Sequence, residues 1–100
     1  MRVLEEAVEL AQSVGLSQAD ATRLMNHVYS KPTGHYAQEA AGLNVCLLAF
    51  AECVGIDLAH ETSREVTRIH KIPIDHFRER HQAKARAGVA LFLSGTEKDD

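Results

Sequence analysis

The sequence predicts an all-α fold of four to five helices, and three observations predict it. Apolar residues recur at helical spacing. Capping residues and glycines fall where those segments begin and end. No stretch keeps the two-residue alternation with β-branched enrichment that a strand requires. In the first segment, about residues 3–13, Leu4, Ala7, Val8 and Ala11 form one apolar stripe, and Gly15 ends it. Ser17 is placed to cap a second helix, with Asp20 three residues on as a capping-box partner and Leu24, Met25 and Val28 on its buried side. Lys31-Pro32-Thr33-Gly34 then breaks the chain. A third helix is expected over about 35–54, stopped by Gly55. From Ala40 onward it is apolar on nearly every side, which marks it as the central, most buried helix. Asp57 caps a fourth helix reaching about Lys71, and Pro73 opens a fifth that runs to about Ala87. Residues 89–93 form a short apolar coda and 95–100 a frayed tail, so 1–94 reads as one domain.

Composition narrows the class. With 45% hydrophobic and 25% charged residues in 100, the chain has the make-up of one ordinary globular domain rather than of a disordered segment. Its longest unbroken apolar run, 45–51, is far short of the ~20 residues of a membrane span. Glu5 and Glu6 stand where a secretion signal would be basic and then apolar, so a cytoplasmic protein with no membrane partner is expected. Cys46 and Cys53 sit ~10 Å apart along one helix, out of disulfide range, and are expected to be reduced and buried. The net charge of −3 argues against nucleic acid as a partner. Its distribution is uneven: seven acids and three bases up to residue 60, then seven bases and three acids over 64–86. Such a split suits a cation site facing a phosphate site, and solvated helix faces produce it equally well.

The acidic residues form a constellation. Glu6 and Glu9 are three apart and Glu5 and Glu9 four apart, so the three carboxylates converge on one side of the first helix. Like charges at that spacing repel unless a cation neutralises them, and Mg²⁺ prefers carboxylate oxygens. A solvated acidic helix start is the plainer reading. Glu39 opens a helix whose other positions are almost all apolar or small, and Gly42, one turn on, leaves room for a backbone or a ligand. A carboxylate at the mouth of a buried helix needs a partner: a metal shared with the first helix, or a later arginine.

These residues carry a resemblance. Glu-Glu-x-x-Glu, an intervening helix, then Glu39 resembles the pattern of the MazG-like all-α nucleotide pyrophosphohydrolases, and so do Lys31-Pro32-Thr33-Gly34, Gln38-Glu39, Gly55-Ile56-Asp57 and the stretch from Glu65 through Arg68 to Lys84. The resemblance covers roughly 3–88. It implies a helical bundle that hydrolyses a nucleoside triphosphate (ribose or deoxyribose) to a monophosphate and pyrophosphate. It also implies Mg²⁺, or Mn²⁺, held by Glu5, Glu6, Glu9 and Glu39, with Glu6, Glu9 and Glu39 as the catalytic carboxylates, and assembly as a homodimer or homotetramer. The family's aspartate falls at Gly42, so one ligand of the pattern is missing. Relatives carry a further helix ahead of the glutamate motif, and its lack is expected of a fragment, a shortened gene product or a degenerate member. In that last case the expectation is a non-catalytic helical module that oligomerises and binds a nucleotide or a protein.

On the fourth helix Arg64, Arg68 and Lys71 make a single basic stripe, with Val66 roughly opposite. Such a stripe can bind phosphates by charge-assisted hydrogen bonds, and the resemblance implies nucleotide contacts at Arg64 and Arg68. Local pairs, Glu61 with Arg64 and Glu65 with Arg68, are the alternative use. Arg78 and Lys84 are further phosphate candidates on a face that also suits plain solvation. The six histidines do not make a zinc motif: His60-Glu61 lacks a second histidine at the metalloprotease spacing, and there is no Cys-x-x-Cys. His35 is expected to cap or face solvent, with support of Glu39 as its alternative role. A third helix apolar all round has too few neighbours to cover it, so a homo-oligomer is expected with Leu47, Leu48, Phe50 or Ala51 near the interface.

Overall fold

The protein's structure, a computed structural model, describes residues 1–88. These form five helices: α1 (Arg2–Ser13), α2 (Gln18–Tyr29), α3 (Tyr36–Val54), α4 (Leu58–His70) and α5 (Ile74–Arg86). No strand occurs among the described residues. The all-α class and the helix number are as the sequence predicts. The expected apolar coda at 89–93 and tail at 95–100 lie outside the described residues.

The punctuation follows from side-chain chemistry. The Ser17 hydroxyl accepts a hydrogen bond from the Asp20 amide at 3.1 Å and caps α2, and the Asp57 carboxylate accepts from the His60 amide at 3.0 Å and caps α4. Each satisfies an amide that the first helical turn leaves without a partner. The cap of α3 is His35, whose Nδ1 accepts from the Ala37 amide at 3.2 Å. Gly55 ends α3 at φ 76°, a left-handed conformation that any side chain would strain. Asp20 does not complete a capping box; its carboxylate pairs with Arg23 instead.

The described chain divides into two units, Met1–Thr33 with residues 80–88, and Gly34–Glu79. In the first, α1 and α2 have no fully buried residue, and Ala7, Ala11, Ala21, Glu5 and Lys84 are half-buried. In the second, Ala51 is buried and Leu47, Phe50, Leu58, Ile72 and Phe77 are half-buried.

Two expectations about α3 are corrected. The central helix is not enclosed: Leu43, Val45, Leu48 and Val54 are about half exposed or more, and Ala51 is its single buried residue. α4, which lies wholly in that unit, and α5, which belongs to it up to Glu79, are polar on average and offer narrow apolar faces, whereas a helix apolar all round needs cover on several sides. The cysteines are unpaired, as expected, but exposed rather than buried. At 3.6 residues per turn, Cys46 and Cys53 share one side of α3 and Leu47 and Ala51 the other. By length and composition α3 is long and apolar enough to cross a bilayer, a test that core helices of soluble proteins pass as well.

Candidate functional site

The acidic cluster begins from the register of α1. Glu5, Glu6 and Glu9 lie within two turns, and Arg2 reaches both Glu5 at 3.2 Å and Glu6 at 3.1 Å. A cation from the far end of the chain also arrives: the Lys84 ammonium lies 2.8 Å from the Glu5 carboxylate, both side chains being half-buried. The Lys84 hydrogen bond holds the Glu5 carboxyl below its usual range; partial burial opposes it, and the charges of Lys84, Arg2 and the N-terminus reinforce it. The like-charge repulsion of this motif is thus relieved by the protein's own bases at Glu5 and Glu6. Glu9 makes no ion pair among the described residues.

Glu39 stands in the first turn of α3, in the other unit. Its amide bonds the His35 carbonyl at 3.0 Å, and its side chain folds back over the start of the helix against Gly34. Like Glu9, it forms no ion pair among the described residues. His35, expected to cap or face solvent, caps α3, and its ring stacks on Tyr36 at 4.7 Å. The room expected at Gly42 is present: a Cβ there would meet nothing within 4 Å.

Within α4 the expected basic stripe is assembled. Arg64, Arg68 and Lys71, with His60, Ser63 and Thr67, line a shallow, open concavity of about 330 Å³. The local pairs form too. Arg64 binds Glu61 at 3.2 Å, and Arg68 binds both oxygens of Glu65 at 2.8 and 2.7 Å. The Arg68 hydrogen bond lowers the Glu65 carboxyl below its ordinary range, against some desolvation and with help from the Arg68 charge. Thr67 donates to the Ser63 carbonyl at 3.0 Å, tying one hydroxyl of the concavity to its own helix. Arg78 is 3.7 Å from Asp75, and Lys84 is the partner of Glu5.

Glu9 in one unit and Glu39 in the other are each a carboxylate without an ion pair among the described residues, and carboxylate oxygens are donors that a hard cation prefers. Glu5 and Glu6 are engaged by bases. Among the described residues no group of three or more histidine, cysteine, aspartate or glutamate side chains is arranged to hold a metal ion. His60, Ser63 and Thr67 are the lining residues that attention to charge alone passes over. Helical arithmetic contains them, since residues 60, 64, 67 and 71 recur at helical spacing. The Lys84–Glu5 contact has no local sequence signal. No family profile matches the chain, and no curated protein and no solved structure matches it either.

Proposed function

We propose that the protein is a Mg²⁺-dependent nucleoside triphosphate pyrophosphohydrolase. The observation that supports this most is the α4 face, where three bases line one concavity with two hydroxyls and an imidazole. Polyphosphate oxygens accept from guanidinium and ammonium groups by strong charge-assisted bonds. Arg64 and Arg68 would then exchange Glu61 and Glu65 for the nucleotide, and Lys71 would add a mobile charge.

Glu9 and Glu39, with Glu6, are the carboxylates assigned to hold Mg²⁺ (or Mn²⁺), and Glu5 supports them once released from Lys84. The ion, when bound, supplies charge neutralisation at phosphate oxygens and makes water more acidic. Water adds to a phosphorus of the nucleotide and its proton passes to a glutamate. The phosphoanhydride P–O bond breaks, and pyrophosphate and the nucleoside monophosphate separate. Glu39→Gln keeps the shape and removes the charge. It should lower turnover by at least ~10²-fold while circular dichroism shows unchanged helix content; unaltered turnover removes Glu39 from the mechanism.

A second reading is favoured by two observations: Glu5 is already paired by Lys84, and α3 leaves Val45 and Leu48 more than half exposed. It is a non-catalytic module that assembles with copies of itself, as a homodimer or homotetramer, and binds a nucleotide or protein. Of the residues expected near an interface, Leu48 is exposed, whereas Leu47, Phe50 and Ala51 are wholly or partly covered. Light scattering at micromolar concentration tests the assembly: a monodisperse monomer rejects it. An oligomer without nucleotide hydrolysis selects this reading over the first.

A further inference from the structure

Gly34 lacks the usual reason for being glycine. Among the described residues those with positive φ are Gly15, Gly55 and Gly88, so the backbone at Gly34 adopts a conformation open to other residues. Its missing side chain is what the structure uses. A Cβ built at Gly34 would collide with Glu39 Oε2, and would lie 3.0 Å from Glu39 Cδ and 3.4 Å from Cγ. One carboxylate oxygen of Glu39 therefore takes the space that a Cβ at 34 would need, with the rest of the carboxyl group close against it. Gly42 makes the contrast, since the equivalent space there is empty.

We infer that Gly34 is a positioning residue for Glu39: the absent side chain at 34 leaves open the space into which the carboxylate folds back over the first turn of α3. Two features confine the effect to Glu39. The neighbouring cap is made by His35 through its own ring nitrogen, so α3 begins in the same place whatever stands at 34. The colliding atoms are the far end of a flexible side chain, which can swing away at little cost to the fold. Gly34→Ala therefore relocates one carboxylate without unfolding a helix. In the reading of Glu39 as a Mg²⁺ ligand, on which this consequence rests, the relocated oxygens leave the cation's reach.

The test is carried out on the full chain, labelled with ¹³C in glutamate. Gly34→Ala should move the Glu39 Cδ resonance and leave that of Glu52 in place, with an unchanged or slightly raised melting temperature. With Mn²⁺ as the probe, Gly34→Ala should weaken binding about tenfold or more. In a Glu39→Ala background the same substitution should change nothing further, because the two changes act through one carboxylate. An unmoved Glu39 resonance overturns the inference. So does an equal loss of Mn²⁺ binding in the Glu39→Ala background. A moved resonance in a protein that binds no Mn²⁺ upholds the positioning role and rejects only the metal reading.

Discussion

Helices α1 and α4 are built alike and held differently. Both are strongly amphipathic and both carry charges three and four residues apart. On α4 the acids find their bases within the same helix, Glu61 with Arg64 and Glu65 with Arg68, and all four side chains are largely exposed. On α1 the local base Arg2 is shared between Glu5 and Glu6, and Glu5 takes a second partner, Lys84 of α5, in a half-buried pair. An exposed local pair adds little to stability, because water and salt screen it and two long side chains must be ordered. A pair between α1 and α5 also joins segments distant in sequence. The contrast separates two arrangements: α4 keeps its bases in exposed local pairs, as the proposed phosphate binding would need, and α1 commits one carboxylate to a pair within its unit.

The comparison can be broken most sharply by kinetics. If the carboxylates act on the reaction and the α4 bases only hold the nucleotide, the two helices fail in different ways. Glu9→Gln should lower kcat by ~10²-fold or more with helix content intact. Arg64→Ala should raise KM about tenfold, the worth of a lost hydrogen bond to a charged group, with kcat nearly unchanged. Equal losses of kcat from both would dissolve the division of labour.

Stability measurements sharpen it next. Removing the Asp57 cap by Asp57→Ala should cost α4 about 1 kcal/mol in denaturant unfolding. No loss would mean that α4 is started by its packing rather than by its cap. A pH series then separates the two kinds of ion pair. Glu5 has its folded pKa below the ordinary 4.5, so its contribution is present above that value and is lost as pH falls through the folded one. Lys84→Met should therefore lower the melting temperature at pH 7, and the gap to the native protein should close as pH falls below 4.5. A gap independent of pH would show that Lys84 acts through packing. The smallest effect belongs to Arg68→Gln. The Glu65 shift has the same sign, yet both partners are more than half exposed, so its melting temperature at pH 7 should change less than that of Lys84→Met.

What could be read from the sequence follows the same line between local and distant. Ser17, Asp57 and Gly55 act within four residues of themselves, and each does what its type and position predict. The α4 stripe is legible for the same reason, because helical periodicity alone brings Arg64, Arg68 and Lys71 to one side. Arg2 was equally legible as the neutralising partner of Glu5 and Glu6, being three and four residues away. Lys84 was not, since nothing in its neighbourhood points to Glu5. The exposure of α3 is not legible for a related reason: a run of apolar residues states what a helix needs, and only the packing states whether neighbours supply it. Gly34 looked like a chain breaker by type, whereas its use depends on where the Glu39 side chain turns.

The most direct test of the proposed activity is product analysis from a panel of ribo- and deoxyribonucleoside triphosphates with Mg²⁺ or Mn²⁺. The proposal requires at least one of them to yield nucleoside monophosphate and pyrophosphate in equal amounts, with both lost on chelation and in Glu39→Gln. Intact triphosphates across the whole panel, or release of inorganic phosphate and a diphosphate instead, would contradict it.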